Sequence, residues 1–163
     1  MRNIIKTVIF TIFVPGTVGG YIPFLLGGIR HARAASPIAW LGLAPAALGA
    51  VIYLWCAWDF ATFGRGTPLP LDAPKQLVAR GLYRYVRNPM YVGILLVILG
   101  QAWYFESTKI LWYAAAVACA FNLFVILYEE PALRRQFGES YVQYSNTVPR
   151  WIPRPAATRA RAK

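Results

Sequence analysis

The sequence predicts an all-α protein embedded in a membrane, with about four spanning helices, and three observations carry that prediction. Of its 163 residues, 58% are hydrophobic and only 14% charged, where a soluble domain carries roughly 25% charged residues. Mean hydropathy is +0.44, and a soluble domain of this size would need far more polar surface to cover its core. The apolar residues are gathered into four runs with the ionisable residues between them, each run near the roughly 20 residues that cross a bilayer as a helix.

The first run, Val8 to Ile29, is broken only by Thr, Gly, Pro and Tyr. Pro15, Pro23 and the pairs Gly19-Gly20 and Gly27-Gly28 predict a kinked helix packed closely on its neighbours. Arg2 and Lys6 before it and Ala32-Arg33-Ala34 after it also match a cleavable signal peptide. Its 22 residues exceed the usual apolar region of about 7–15 residues in such signals, which favours a retained helix. Ile38 to Trp58 is the second and cleanest run. Tyr91 to Phe105 is short, at 15 residues, which a locally thinned bilayer accommodates. Ile110 to Tyr128 is of ordinary length, and only Glu106-Ser107-Thr108-Lys109 parts it from the third, so the two form a tight helical hairpin. Three regions result: residues 1–58 with two spans, residues 59–155 with a loop, the hairpin and a C-terminal lid, and a basic Ala-rich tail, residues 156–163, expected to be disordered.

Seventeen Lys and Arg against six Asp and Glu give a net charge of +11, a balance that in a soluble protein points to nucleic acid. Position decides otherwise. Four spans put both termini and residues 59–90 on one side, and all the basic residues except Arg30, Arg33 and Lys109 lie there. The positive-inside rule makes that side cytoplasmic, so no nucleic-acid partner is needed, and membrane lipids are the expected neighbours. Cys56 and Cys119 sit inside apolar runs, with neither a disulfide framework nor a metal-binding spacing; no metal site is expected. His31, alone on the far side, suits a solvated loop.

Chemistry is therefore expected at the cytoplasmic ends of the spans, in two clusters. The first runs from Lys75 through Arg80, Arg84 and Arg87 to Asn88-Pro89-Met90-Tyr91. Pro89 suits the first position of a helix, with Asn88 as its cap. The free N–H groups of that turn and the nearby arginines would suit a carboxylate or phosphate; equally, the arginines and tyrosines suit lipid headgroups. The second cluster is Glu129-Glu130-Pro131. Two carboxylates at a helix C-terminus oppose its dipole and require a positive partner, either the arginines of the first cluster or a cationic ligand. Pro131 cannot return a bond to Leu127 and predicts a bend. Beyond it Phe137, Tyr141, Tyr144, Val148 and Trp151 recur at helical spacing. Gly138 divides them into two short interfacial helices, which either fold over the hairpin as a lid or anchor to the membrane surface.

The order L-V-x-x-G-x-Y-x-x-x-R-N-P-M-Y-x-G, then Glu129-Glu130, then Phe137-Gly138, Tyr141, Tyr144 and Val148-Pro149 resembles the isoprenylcysteine carboxyl methyltransferase family and its phospholipid methyltransferase relatives. The resemblance covers roughly residues 63–153 and is that of a bacterial-type, inner-membrane member. It implies an integral membrane enzyme that uses S-adenosylmethionine to methylate a lipophilic or amphiphilic acceptor. The implied cofactor-binding residues are Lys75, Gln76, Leu77, Val78, Tyr83, Asn88, Pro89, Met90, Tyr91 and Glu129, the last at the cofactor's methionine end. Arg87 is the expected orienting group for an anionic acceptor, and Tyr91 the contact near the sulfonium. No glycine-rich strand-to-helix turn is present for a soluble dinucleotide-type fold.

Two positions depart from the family pattern. Asn88 stands where histidine is usual, which removes a titratable group. Val125 stands where the prenylcysteine enzymes carry an arginine that binds substrate, so an acceptor other than a prenylcysteine carboxylate is expected. Two other readings fit parts of the pattern: an NADPH-dependent enzyme like the sterol reductases, which are much larger, and a non-catalytic membrane protein with a basic lipid-facing side. The acceptor and the oligomeric state are not specified by the sequence.

Overall fold

A computed structural model describes residues 2–28, 36–64 and 77–153. Lys75 and Gln76, His31 and the tail from residue 156 lie outside the described residues.

The described residues are mostly helical, with no strand among them. Three helices, Thr7–Gly27, Pro37–Phe63 and Thr108–Phe137, are long and apolar enough to cross a membrane, and Pro89–Tyr104 is a shorter apolar helix. The chain is an integral membrane protein.

Helix α1 (Arg2–Phe13) continues through two π-helical turns, Thr17–Tyr21 and Phe24–Gly28. The widened turns follow from the prolines: Pro23 has no N–H to return to the carbonyl of Gly19, four residues back, or of Val18, five back. Both carbonyls are satisfied from elsewhere, Gly19 by the Gln101 amide and Val18 by the Tyr113 hydroxyl at 2.9 Å. In hydrocarbon an orphaned carbonyl costs several kcal/mol, so these two side chains clamp the first span to the hairpin.

A 3₁₀ turn at Pro37–Gly42, capped by the Ser36 hydroxyl on the Ala39 N–H, leads into α2 (Leu43–Asp59) and a π turn at Phe60–Gly64. After the 3₁₀ turn Gly81–Arg84 comes α3 (Pro89–Tyr104), with Pro89 at its first position as expected. The turn at Phe105–Ser107 uses Glu106 at φ 47°, and its carboxylate accepts from Ser36 at 2.6 Å. Helix α4 (Thr108–Phe124) completes the hairpin.

The tightest packing lies between α2 and α3, not on the glycine pairs of the first span. Gly42 and Gly49 face Gly100 and Gly93, so that a methyl group on Gly93 would stand 2.8 Å from the Gly49 carbonyl and one on Gly100 would stand 2.6 Å from the Gly42 carbonyl. Each pair is seven residues apart, two helical turns, which places the glycines on one seam where two backbones meet. In the first span Gly27 packs on Ile110 and Phe105, whereas Gly20 faces open space.

Pro131 does not end the last membrane-length helix. The helix passes through a π turn at Val125–Glu129 into α5 (Glu130–Phe137), because the wider turn absorbs the bond that Pro131 cannot make. Gly138, at φ 53°, stops α5, and α6 (Glu139–Thr147) follows, the division expected from the sequence.

Candidate functional site

Helices α3 and α4 bring the two polar clusters together, because one begins at Pro89 where the other's continuation passes Glu129. A cavity of about 200 Å³ lies at that junction. Its polar mouth is formed by Tyr83, Arg87, Asn88, Tyr91, Glu129, Glu130, Tyr141 and Tyr144. One or more turns deeper the wall is apolar: Phe10, Val14 and Val18 of the first membrane-length helix, Ile94 of α3, and Phe121, Phe124 and Val125 of the last.

The adjacent glutamates have different partners. Glu129 Oε2 accepts a hydrogen bond from the Tyr91 hydroxyl at 2.9 Å, and among the described residues Glu129 has no ion pair. Glu130 is 8% exposed and held by two guanidiniums: Arg87 Nη1 lies 3.0 Å from Oε1, while Arg150 donates through Nε to Oε1 at 2.7 Å and through Nη2 to Oε2 at 3.1 Å. That two-point contact is the strong form of the pair, and it raises the Arg150 pKa above its ordinary value. Arg87 also donates to the Tyr141 hydroxyl at 3.4 Å, and its Nε is buried without a hydrogen-bond partner among the described residues.

The C-terminal segment is tied to the hairpin and to the 81–84 turn by backbone and side chain alike. The Arg87 N–H donates to the Pro149 carbonyl at 2.9 Å, Asn88 Nδ2 donates to the Arg150 carbonyl at 3.1 Å, the Tyr144 hydroxyl donates to the Tyr83 carbonyl at 2.7 Å, and Trp151 Nε1 donates to Asn122 Oδ1 at 3.0 Å. Burial pushes the pKa of Tyr83, Tyr141 and Tyr144 upward, so these phenols stay neutral.

Of the residues expected at the site, Leu77, Val78, Tyr83, Arg87, Asn88, Met90, Tyr91 and Glu129 all line the cavity. Pro89 does not; it is buried as the first residue of α3. Asn88 holds the cap position, but its side chain makes no capping bond and turns to the Arg150 carbonyl instead, since an amide donor satisfies that carbonyl where a cap would use only the acceptor. The arginines do not gather as a group at the start of α3. Arg80 pairs with Asp59 at 3.7 Å and sits over the Phe63 ring, and Arg84 is exposed, leaving Arg87 alone at the site. Arg150, Trp151, Asn122 and Asp59 were not anticipated in these roles. The unmet need of Glu130 for a cation was the signal for Arg150, and a lone Asn inside an apolar helix was the signal for Asn122.

A helical membrane protein with an acid-and-tyrosine cavity at the mouth of a hairpin is the class that fold and site define. The phospholipid methyltransferase family is matched over residues 37–140, and the chain belongs to that family. The match takes in the second span as well as the hairpin. The chain is 33% identical over 85 residues to protein-S-isoprenylcysteine O-methyltransferase B of Arabidopsis thaliana, covering 48% of this chain and 40% of that one. It is 38% identical over 77 residues to protein-S-isoprenylcysteine O-methyltransferase of Schizosaccharomyces pombe, covering 47% of this chain and 33% of that one. The chain thus spans less than half the length of either relative. No solved structure matches it.

Proposed function

We propose that the cavity binds S-adenosylmethionine from the cytoplasmic side and that the protein methylates a lipophilic or amphiphilic acceptor held in the apolar depth. The observation that carries this reading is Glu129, a carboxylate facing the cavity, fixed by Tyr91 and without an ion-pair partner among the described residues. A partly buried carboxylate of that kind suits a cationic ligand. The rest of the donor set fits the same molecule. The Arg87 Nε–H, buried without a partner, and the uncapped first turn of α3 suit its carboxylate, and Glu129 suits its ammonium and sulfonium.

When bound, the cofactor supplies a methyl group activated on sulfur. In-line displacement there needs no covalent nucleophile, so the chain's work is to orient and to exclude water. Tyr91 fixes Glu129, Arg87 is held by Glu130 and Tyr141, and the α6 tyrosines close the mouth. Phe10, Val14, Val18, Ile94 and Phe124 offer the acceptor's apolar part a surface continuous with the membrane-spanning helices. With Val125 buried at 1% exposure in that wall, no cation is supplied at that position for a carboxylate acceptor. The charge distribution of the chain supports termini and cavity on the cytoplasmic side.

Titration of the purified chain in detergent with S-adenosylhomocysteine tests the reading. Saturable binding is expected, weakened at least about tenfold by Glu129→Gln, as for loss of a charge-assisted contact. Equal binding by parent and variant would remove Glu129 from the site, and absence of binding by the parent would refute the cofactor assignment.

A further inference from the structure

Asp59, the last residue of α2, is one of three carboxylates within the apolar spans, with Glu129 and Glu130. A carboxylate in such a span is costly and marks a task or a partner. Its side chain is 5% exposed, yet it does not line the cavity. Oδ1 lies 3.7 Å from Nε of a half-exposed Arg80, its one ion pair among the described residues. Oδ2 is buried with no hydrogen-bond partner among the described residues.

Oδ2 occupies the place that a side chain at Gly81 would take. That residue has φ +55°, and a methyl group on it would stand 2.5 Å from Oδ2 and 3.4 Å from Trp55 Nε1. Only glycine supplies both the left-handed conformation and the clearance, so the carboxylate and the glycine fit as a pair. The turn that starts at Gly81 carries Tyr83, which lines the cavity. The Tyr83 ring meets Phe60 edge-on at 5.5 Å between centroids and joins Cys56, three residues before Asp59 and on the same face of α2, in one buried cluster. Tyr144 holds the Tyr83 carbonyl from the other side at 2.7 Å.

We propose that Asp59 is a positioning residue for the cavity: seated beneath Gly81 and tied to Arg80, its carboxylate holds the 80–83 turn on α2 so that Tyr83 and Val78 form the cavity wall. The proposal rests on the cofactor reading above and adds to it a residue outside the cavity that acts through Tyr83.

Two measurements on the full chain in detergent test it: hydrogen–deuterium exchange over residues 77–87, and titration with S-adenosylhomocysteine well below the unfolding temperature. Asp59→Asn keeps the size and removes the charge. It is expected to speed exchange in residues 77–87 about tenfold while α3 and α4 stay protected, and to weaken S-adenosylhomocysteine binding about tenfold. Gly81→Ala is expected to weaken binding less in an Asp59→Ala background than in the parent, because the oxygen it would strike is gone. Unchanged exchange and affinity in Asp59→Asn, or faster exchange everywhere with affinity intact, would overturn the proposal. If Asp59→Asn does not fold, Arg80→Gln at its half-exposed position takes its place, with faster exchange in residues 77–87 expected and no change overturning the idea. A parent that binds no S-adenosylhomocysteine refutes the cofactor reading, while the exchange data still decide whether Asp59 holds the turn.

Discussion

The Tyr91 hydroxyl, in the first turn of α3, donates to Glu129 at 2.9 Å across 38 residues of sequence, joining the two ends of the hairpin at the cavity. Tyr91→Phe leaves the ring contact with Phe121, at 4.6 Å between centroids, and removes only the donor. Glu129 then loses its orientation, and S-adenosylhomocysteine affinity should fall about threefold to tenfold, on the scale of an ordinary hydrogen bond of about 0.5–1.5 kcal/mol. Calorimetry on Tyr91→Phe, Glu129→Gln and the double variant checks it: the double variant should bind no more weakly than Glu129→Gln alone, and additive losses would show that the two residues act separately.

Glu130 holds two guanidiniums, and its removal should cost more than removal of either. Glu130→Ala is expected to destabilise the protein by about 3 kcal/mol by leaving Arg87 without its counter-charge. Arg150→Ala should cost only about 1 kcal/mol, because that side chain is 34% exposed and solvent already screens it. Thermal unfolding in detergent ranks the two, and equal losses would contradict this assignment of the pairs.

Tyr113 and Gln101 replace the bonds that Pro23 withholds. Tyr113→Phe should lower stability by about 1 kcal/mol, within the range for single hydrogen bonds between membrane helices, with S-adenosylhomocysteine affinity unchanged because Tyr113 lies outside the cavity wall. Pro23→Ala restores an N–H to that turn, so the loss from Tyr113→Phe should shrink in its presence. A loss of the same size with and without Pro23 would show that the freed carbonyls are not what the clamp serves.

Gly93 lies where α2 and α3 meet backbone to backbone. Gly93→Ala forces the helices apart against the Gly49 carbonyl and the Tyr53 N–H and should cost about 1–3 kcal/mol, the usual scale for overpacking. Gly20→Ala, which meets nothing, is the control and should be neutral or slightly stabilising, as replacement of a helical glycine usually is. Unfolding midpoints measured side by side decide this.

What was legible in the sequence was whatever follows from one residue and its near neighbours. Pro89 starts a helix because its missing N–H is harmless there, and Gly138 ends one because φ 53° suits glycine. The paired glutamates declared a need for positive charge. At Pro131 the response is local too, since a π turn takes up the bond the proline cannot make and the helix continues past it.

Hydropathy and charge thus determined by themselves the helical class, the membrane setting and the two polar clusters, because burial in lipid leaves a chain few alternatives. Tertiary structure alone decided which cation answers which anion. Arg150, 20 residues beyond Glu130, reaches it only because the lid folds back, whereas Arg80 turns to Asp59 and Asn88 leaves its cap for the Arg150 carbonyl. Such pairings form between segments distant in sequence, which only the packed helices bring within reach of one another.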